Sequence, residues 1–141
     1  MDTLKIYCDG GARGNPGPAA SAFVALDGSN VVFKKGKFLG RATNNIAEYN
    51  SALLALRWLL ANEDQHKGLN EVLVHLDSQL IVNQLTGVFK IKDQKLLALA
   101  MKIKDLEQLL SYPVKYKNIP REQNRIADFL VNETLDKKQN P

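Results

Sequence analysis

The chain has 141 residues, 45% hydrophobic and 24% charged, which describes a globular protein with a sizeable core and excludes a disordered one. A single cysteine, Cys8, excludes an internal disulfide, and no run is apolar and long enough for a membrane span or a secretory leader; these features imply a soluble, cytoplasmic protein with no membrane partner. The net charge of +4 is uneven: residues 1–89 balance eight Lys/Arg against eight Asp/Glu, residues 90–141 carry eleven against seven, and Lys34, Lys35, Lys37 and Arg41 cluster with no acid among them, a pattern open to a solvated surface or a polyanion partner.

In chain order, "LKIYCD" (4–9) predicts a first strand ending in Asp9, with Cys8 as a small buried residue. A loop of four glycines and two prolines follows over residues 10–18. It has neither the G-x-G-x-x-G spacing nor the Lys-Ser/Thr of a P-loop, and it leads into "SAFVAL" (21–26), a strand and not a helix. Asp27-Gly28 turns that strand into "VVFKKGKFLG" (31–40), completing an antiparallel meander. "TNNIAEYNSALLALRWLLAN" (43–62) predicts an amphipathic helix capped by Thr43 or Asn44, with Trp58 on its leucine-rich core face. "EVLVHLD" (71–77) reads as a strand buried on both faces and ending in Asp77. A short helix "SQLIVNQL" (78–85), a long one over 93–110, a strand "VKYKNI" (114–119) and a helix over 121–136 complete the chain. His66 falls in a loop and His75 inside a strand. The order βββαβααβα predicts one α/β domain over residues 1–141. Its five-stranded mixed sheet would join an antiparallel meander to two parallel strands, with helices on both faces.

The acids stand out against these elements. Asp9 and Asp77 both end strongly apolar strands, and the carboxyl ends of strands form the ligand crevice of an α/β sheet. Were the two strands parallel neighbours, the two carboxylates would lie side by side. Glu48 lies one turn into the first long helix and Asp128 on the last, just before "FLV". Converging carboxylates repel unless a cation joins them, and an all-oxygen donor set suits Mg²⁺ or Mn²⁺.

"DGGARGNPGP", "TNNIAE", "LDSQ" and "NRIAD" together resemble the four signature blocks of the type 1 ribonuclease H family, in that family's order and across essentially the whole chain. The resemblance implies the ribonuclease H-like fold and a monomeric two-metal endonuclease that cuts the RNA strand of an RNA–DNA hybrid. By the same resemblance, Asp9, Glu48, Asp77 and Asp128 would be the catalytic carboxylates and the ligands of two Mg²⁺ or Mn²⁺ ions. Asn15 and Thr43 would hold a DNA-strand phosphate, and Gly10 and Gly11 would let the backbone approach the RNA. Asn44, Asn45 and Gln79 would contact the hybrid's minor groove, and Arg13 would meet a phosphate or solvent. Two departures mark the chain. Many members carry a loop histidine about ten residues before the final Asp, where this chain has Asn118, in "YKNIPREQNRIAD". It thus resembles a branch lacking that histidine, with Arg121 or Glu122 as candidates for part of its role. Nor is there room for the basic, Trp-rich insertion of some members: "TGVFKIKDQK" offers only Lys90, Lys92 and Lys95, so hybrid affinity should be modest. Two alternatives stand beside this reading: a related nuclease acting also on double-stranded RNA, and a catalytically weak module that binds hybrids or a protein.

Overall fold

Leu4, Ile6 and Cys8 alternate with Lys5, Tyr7 and Asp9, and that period of two builds the middle strand of the sheet, β1 (Thr3–Ala12), in a computed structural model that describes residues 2–139. β2 (Gly17–Asp27) and β3 (Asn30–Ala42) pair antiparallel in a meander on one side of β1. On the other side β4 (Glu71–Leu76) runs parallel to β1, and β5 (Val114–Asn118) parallel to β4. The order is β3-β2-β1-β4-β5, the mixed sheet expected from the sequence.

The larger core lies on the face bearing Leu4, Ile6, Val72 and Val74. It is closed by α1 (Asn44–Ala61), α2 (Gln79–Leu85) and α3 (Gln94–Leu109), whose Leu56, Ile81 and Ile103 are fully buried. Each of these helices starts on a side-chain cap: Thr43, Ser78 and Asp93 accept from the amides of Ile46, Ile81 and Leu96. α4 (Arg125–Gln139) covers part of the opposite face with Leu130, Val131 and Leu135 against Ala20 and Ala22. It sits so close to β3 that a Cβ on Gly36 would lie 2.1 Å from Thr134 Oγ1. Trp58 packs among Phe23, Phe33 and His66, stacked on Phe33 at 5.1 Å, as its leucine-rich surroundings suggest. No helix among the described residues is long and apolar enough to cross a membrane.

The structure departs from the sequence expectation at three places. The glycine-rich stretch is mostly strand, because Gly10–Ala12 and Gly17–Ala20 continue the β1–β2 ladder and leave only residues 13–16 as the turn. The last helix does not begin at residue 121: Arg121–Gln123 form a 3-10 turn, Asn124 breaks it, and α4 starts at Arg125. His66 is not a loop side chain but is buried in the 3-10 turn Glu63–His66 against Trp58.

Candidate active site

Pairing between β1 and β4 stops at Tyr7↔His75. Asp9 and Asp77 each lie two residues further on, at the carboxyl end of the parallel part of the sheet, where departing chains leave a crevice. Asp9 is held within the continuing β1–β2 ladder opposite Ala22, and Asp77 follows the last residue of β4, just before the cap of α2.

Glu48 reaches the same place because α1 is drawn against β1. Ala12 N donates to Asn44 Oδ1 at 2.8 Å, Asn44 N to Asn15 Oδ1 at 2.9 Å, and Ser21 Oγ to Ala47 O at 2.6 Å. The contact is so tight at Gly10 that a Cβ there would lie 2.2 Å from the carbonyl carbon of Ala47. Gly10 N donates to Glu48 Oε1. The glycine is thus required by the approach of α1 itself.

One carboxylate oxygen each from Asp9, Glu48 and Asp77 lies within 4.8 Å of the others. Asp128, in the first turn of α4, lines the same cavity of about 510 Å³ without joining that tight group, and faces Arg121 at 3.9 Å. Asp9 and Glu48 are only 7% and 6% exposed. Burial, reinforced by the charges of Asp77 and Asp128, pushes Asp9 up to about 7. Burial, with Asp9 beside it, raises Glu48 well above the usual carboxylate range. Glu48 Oε2 is buried and has no hydrogen-bond partner among the described residues. A buried carboxylate oxygen with no donor, in a group made only of carboxylates, is a structural fit for a hard divalent cation.

One residue essential to this geometry escaped the sequence reading. Asn124 is 1% exposed, and its Nδ2 donates to Cys8 O at 2.8 Å and to Asp77 Oδ2 at 3.2 Å, tying the Asp77 carboxylate to β1. Its position before the apolar turn of a helix reads as a cap, and nothing local signals two partners 47 and 116 residues away. Asn124→Ala is expected to cost about 1–3 kcal/mol, since it leaves the Cys8 carbonyl unpaired in the interior; urea unfolding of the metal-free protein measures it.

The remaining candidates divide. Gly10, Gly11, Arg13, Asn44, Asn45 and Arg121 line the carboxylate cavity. Asn15 and Thr43, with Asn45 between the two, line a neighbouring cavity of about 550 Å³ closed by Asp93, Gln94 and Lys95 at the start of α3. Arg13 also pairs with Asp136 at 2.7 Å and bonds Asn132 and Gln139, bracing the β1–β2 turn against α4. Gln79 is exposed in the first turn of α2 and lines neither cavity. Asn118 donates to Leu76 O at 3.2 Å, and Glu122 lines a separate groove behind the turn.

A family profile described as "Reverse transcriptase-like" matches residues 7–134. The chain is 39% identical to a ribonuclease HI of Halobacterium salinarum over 135 residues, covering 94% of this chain and 64% of that protein. It is 38% identical to a bifunctional protein of Mycobacterium tuberculosis over 136 residues, 94% of this chain and 35% of the other. The chain therefore spans about a third of the mycobacterial protein and just under two thirds of the haloarchaeal one. Among solved structures, LC11-RNase H1, isolated from compost by a metagenomic approach, superposes with a TM-score of 0.93 at 40% identity, over 99% of this chain and 100% of that one. That protein has also been solved in complex with an RNA/DNA hybrid, and superposes there with a TM-score of 0.91.

Proposed function

The chain belongs to the type 1 ribonuclease H family, and on that premise we propose that it is a metal-dependent endoribonuclease that cuts the RNA strand of RNA–DNA hybrids. The observation that carries this reading is the buried group of Asp9, Glu48 and Asp77 with its unpartnered Glu48 oxygen. The hybrid complex of the compost relative supports the substrate class.

In this proposal Asp9, Glu48, Asp77 and Asp128 hold two Mg²⁺ or Mn²⁺ ions. Bound there, the ions supply activation of the attacking water and stabilisation of the leaving 3′-oxygen. The chain's own contribution is order. The Gly10 amide fixes one oxygen of Glu48, Asn124 fixes one of Asp77, and the Asn15–Asn44–Ala12 bonds lock the start of α1 to the β1–β2 turn. Asn44 and Asn45 offer amides toward the hybrid's minor groove, where 2′-hydroxyls are displayed. Asn15 and Thr43, beside Lys95, offer a phosphate seat on the neighbouring strand. Asn118 takes no part in proton transfer, because an amide does not titrate near neutral pH. Arg121, facing Asp128, supplies positive charge at the mouth of the cavity. We take the chain to act as one domain, as a monomer and in the cytoplasm.

The test is cleavage of labelled RNA–DNA hybrid, double-stranded RNA and single-stranded RNA, each with Mg²⁺, Mn²⁺ or EDTA. Metal-dependent cutting of the hybrid is expected. Cutting of double-stranded RNA at a comparable rate would widen the substrate class, and no cutting of any of the three would refute the enzyme. Hybrid binding, measured in Ca²⁺ by anisotropy, is expected to weaken with log salt at a slope near −0.9 per phosphate contact, by analogy with duplex DNA. An affinity flat in salt would contradict binding through the phosphates.

A further inference from the structure

The sheet face that carries Asp9 is only partly covered by α4. Past the row Asp9–Ala22–Gly36, where the helix packs, the strands continue with Lys5, Lys34 and Lys117 exposed, with Tyr7, Leu26 and Leu73 half-buried, and with Val24 and His75 buried on either side of Tyr7. The strand registers set these residues in two rows across the sheet: Lys34, Val24, Tyr7, His75 and Lys117, then Leu26, Lys5, Leu73 and Lys115.

The centre of the first row is aromatic. The Tyr7 and His75 rings stack with centroids 4.2 Å apart and planes 6° from parallel. Because the two residues are neighbours on β1 and β4, the other face of Tyr7 is turned toward β2. There it lines a cavity of about 270 Å³ with Val24, Leu26 and Ile126, bordered by residues 122–125. Burial first, and the charges of Lys117 and Lys5 after it, hold His75 below the usual histidine range.

Lysines close both ends of the first row and stand within and at one end of the second. Lys115 pairs with Glu71 at 2.9 Å, but Lys5, Lys34 and Lys117 form no ion pair among the described residues. Arg125 adds a further cation at the cavity and Glu122 the acid beside it. Lys34 and Lys117 stand four strand spacings apart, roughly 19 Å. That span suits a chain of phosphates better than one small anion.

An aromatic ring beside a cavity, flanked by unpaired lysines in two adjacent rows, is what a flexible strand of stacked bases and phosphates requires. We propose that this partly covered face binds an unpaired nucleic acid strand, a base stacking on the half-buried Tyr7 where it lines the cavity and phosphates meeting Lys5, Lys34 and Lys117. The site lies across Asn124 and the 3-10 turn from the carboxylates, and its occupation needs none of them.

The test is anisotropy of a short fluorescein-labelled oligouridylate, in EDTA so that nothing is cut. Lys5→Glu/Lys117→Glu changes two exposed side chains and is expected to weaken binding about tenfold or more. It should also flatten the log-salt slope by about 1.4, two phosphate contacts at about 0.7 each for a single strand. Tyr7→Leu keeps an apolar side chain, and is expected to weaken binding about tenfold through lost stacking and to abolish cross-linking of a 5-iodouracil oligonucleotide to this face. Unchanged affinity in the double variant would overturn the proposal. So would cross-linking confined to residues 9–15, or competition by polyglutamate as strong as by oligouridylate, which would assign the face to an acidic protein. Because the readout is binding without metal, failure here leaves the cleavage reading to stand or fall on its own assay.

Discussion

Asp9→Asn is expected to lower hybrid cleavage by about 10²-fold or more, the scale seen when one charge-stabilising group is removed from an active site, while the metal-free variant melts no lower than the parent. Asn preserves the volume and one carbonyl oxygen, but it removes a charge from a buried group of like charges. The sign of the pH effect follows from the raised acidity constant. Asp9 ionises at 3.8 in its ordinary state and near 7 in the folded protein, so between those values the folded state holds more protons than the unfolded one. The stability of the metal-free parent should therefore fall as pH rises from about 4 to about 7. Asp9→Asn should lose that contribution, keep the one from Glu48, and gain melting temperature above pH 7, by roughly 3 °C per kcal/mol relieved. Added Mg²⁺ should raise the melting temperature of the parent and much less that of the variant. An aspartate serving only as a turn former would give the opposite pair of results, a less stable variant with near-normal cleavage.

Gly10→Ala is expected to be as damaging although it removes no functional group. The added Cβ would meet the backbone of Ala47 at 2.2 Å and the amide of Glu48 at 2.5 Å, and backbone cannot rotate aside as a side-chain end can. α1 must move outward, stretching the bond from Gly10 N to Glu48 Oε1 and straining the Asn15–Asn44–Ala12 struts. Overpacking of this kind costs about 2–3 kcal/mol, or roughly 6–9 °C in a protein of this size. Cleavage should fall at least tenfold even well below the new melting point, because Glu48 rides on the displaced helix. Gly11→Ala is the control: its Cβ would meet only Val131 Cγ1, at an ordinary 3.8 Å, so the fold should hold. If Gly10→Ala matched the parent in both melting temperature and rate, the tight seating of α1 would not be what positions Glu48.

Asp9 and Asp77 could be paired from the sequence because each closes a run whose hydrophobicity makes a buried strand, and parallel neighbours put such ends together. Glu48 could be placed one turn into α1 from the helix period, but its convergence on Asp9 was implied only by the resemblance of "TNNIAE" to a ribonuclease H signature block. The rest depended on contacts without a local signal. Asn124 looks like any polar residue before a helix, yet its amide spans Cys8 and Asp77. Gly10 and Gly17 look like loop glycines, but pairing with β2 carries β1 on to Ala12 and the need for a glycine at position 10 comes from α1. Arg13 sits in a turn that invites a phosphate, while Asp136 and Asn132, far along the chain, meet its guanidinium. The Tyr7–His75 stack was hidden because alternation within each strand says which face a residue occupies, and only the parallel register says which residue stands beside it.

The most direct measurement is cleavage of one RNA–DNA hybrid labelled in separate samples on the RNA and on the DNA strand, with Mg²⁺ titrated from EDTA upward, by the parent and by Glu48→Gln. Fragments are expected from the RNA label only, appearing with Mg²⁺, absent in EDTA and reduced about 10²-fold or more in Glu48→Gln. Cutting in EDTA, cutting of the DNA strand, or equal rates in parent and variant would contradict a metal-dependent ribonuclease built on this carboxylate group.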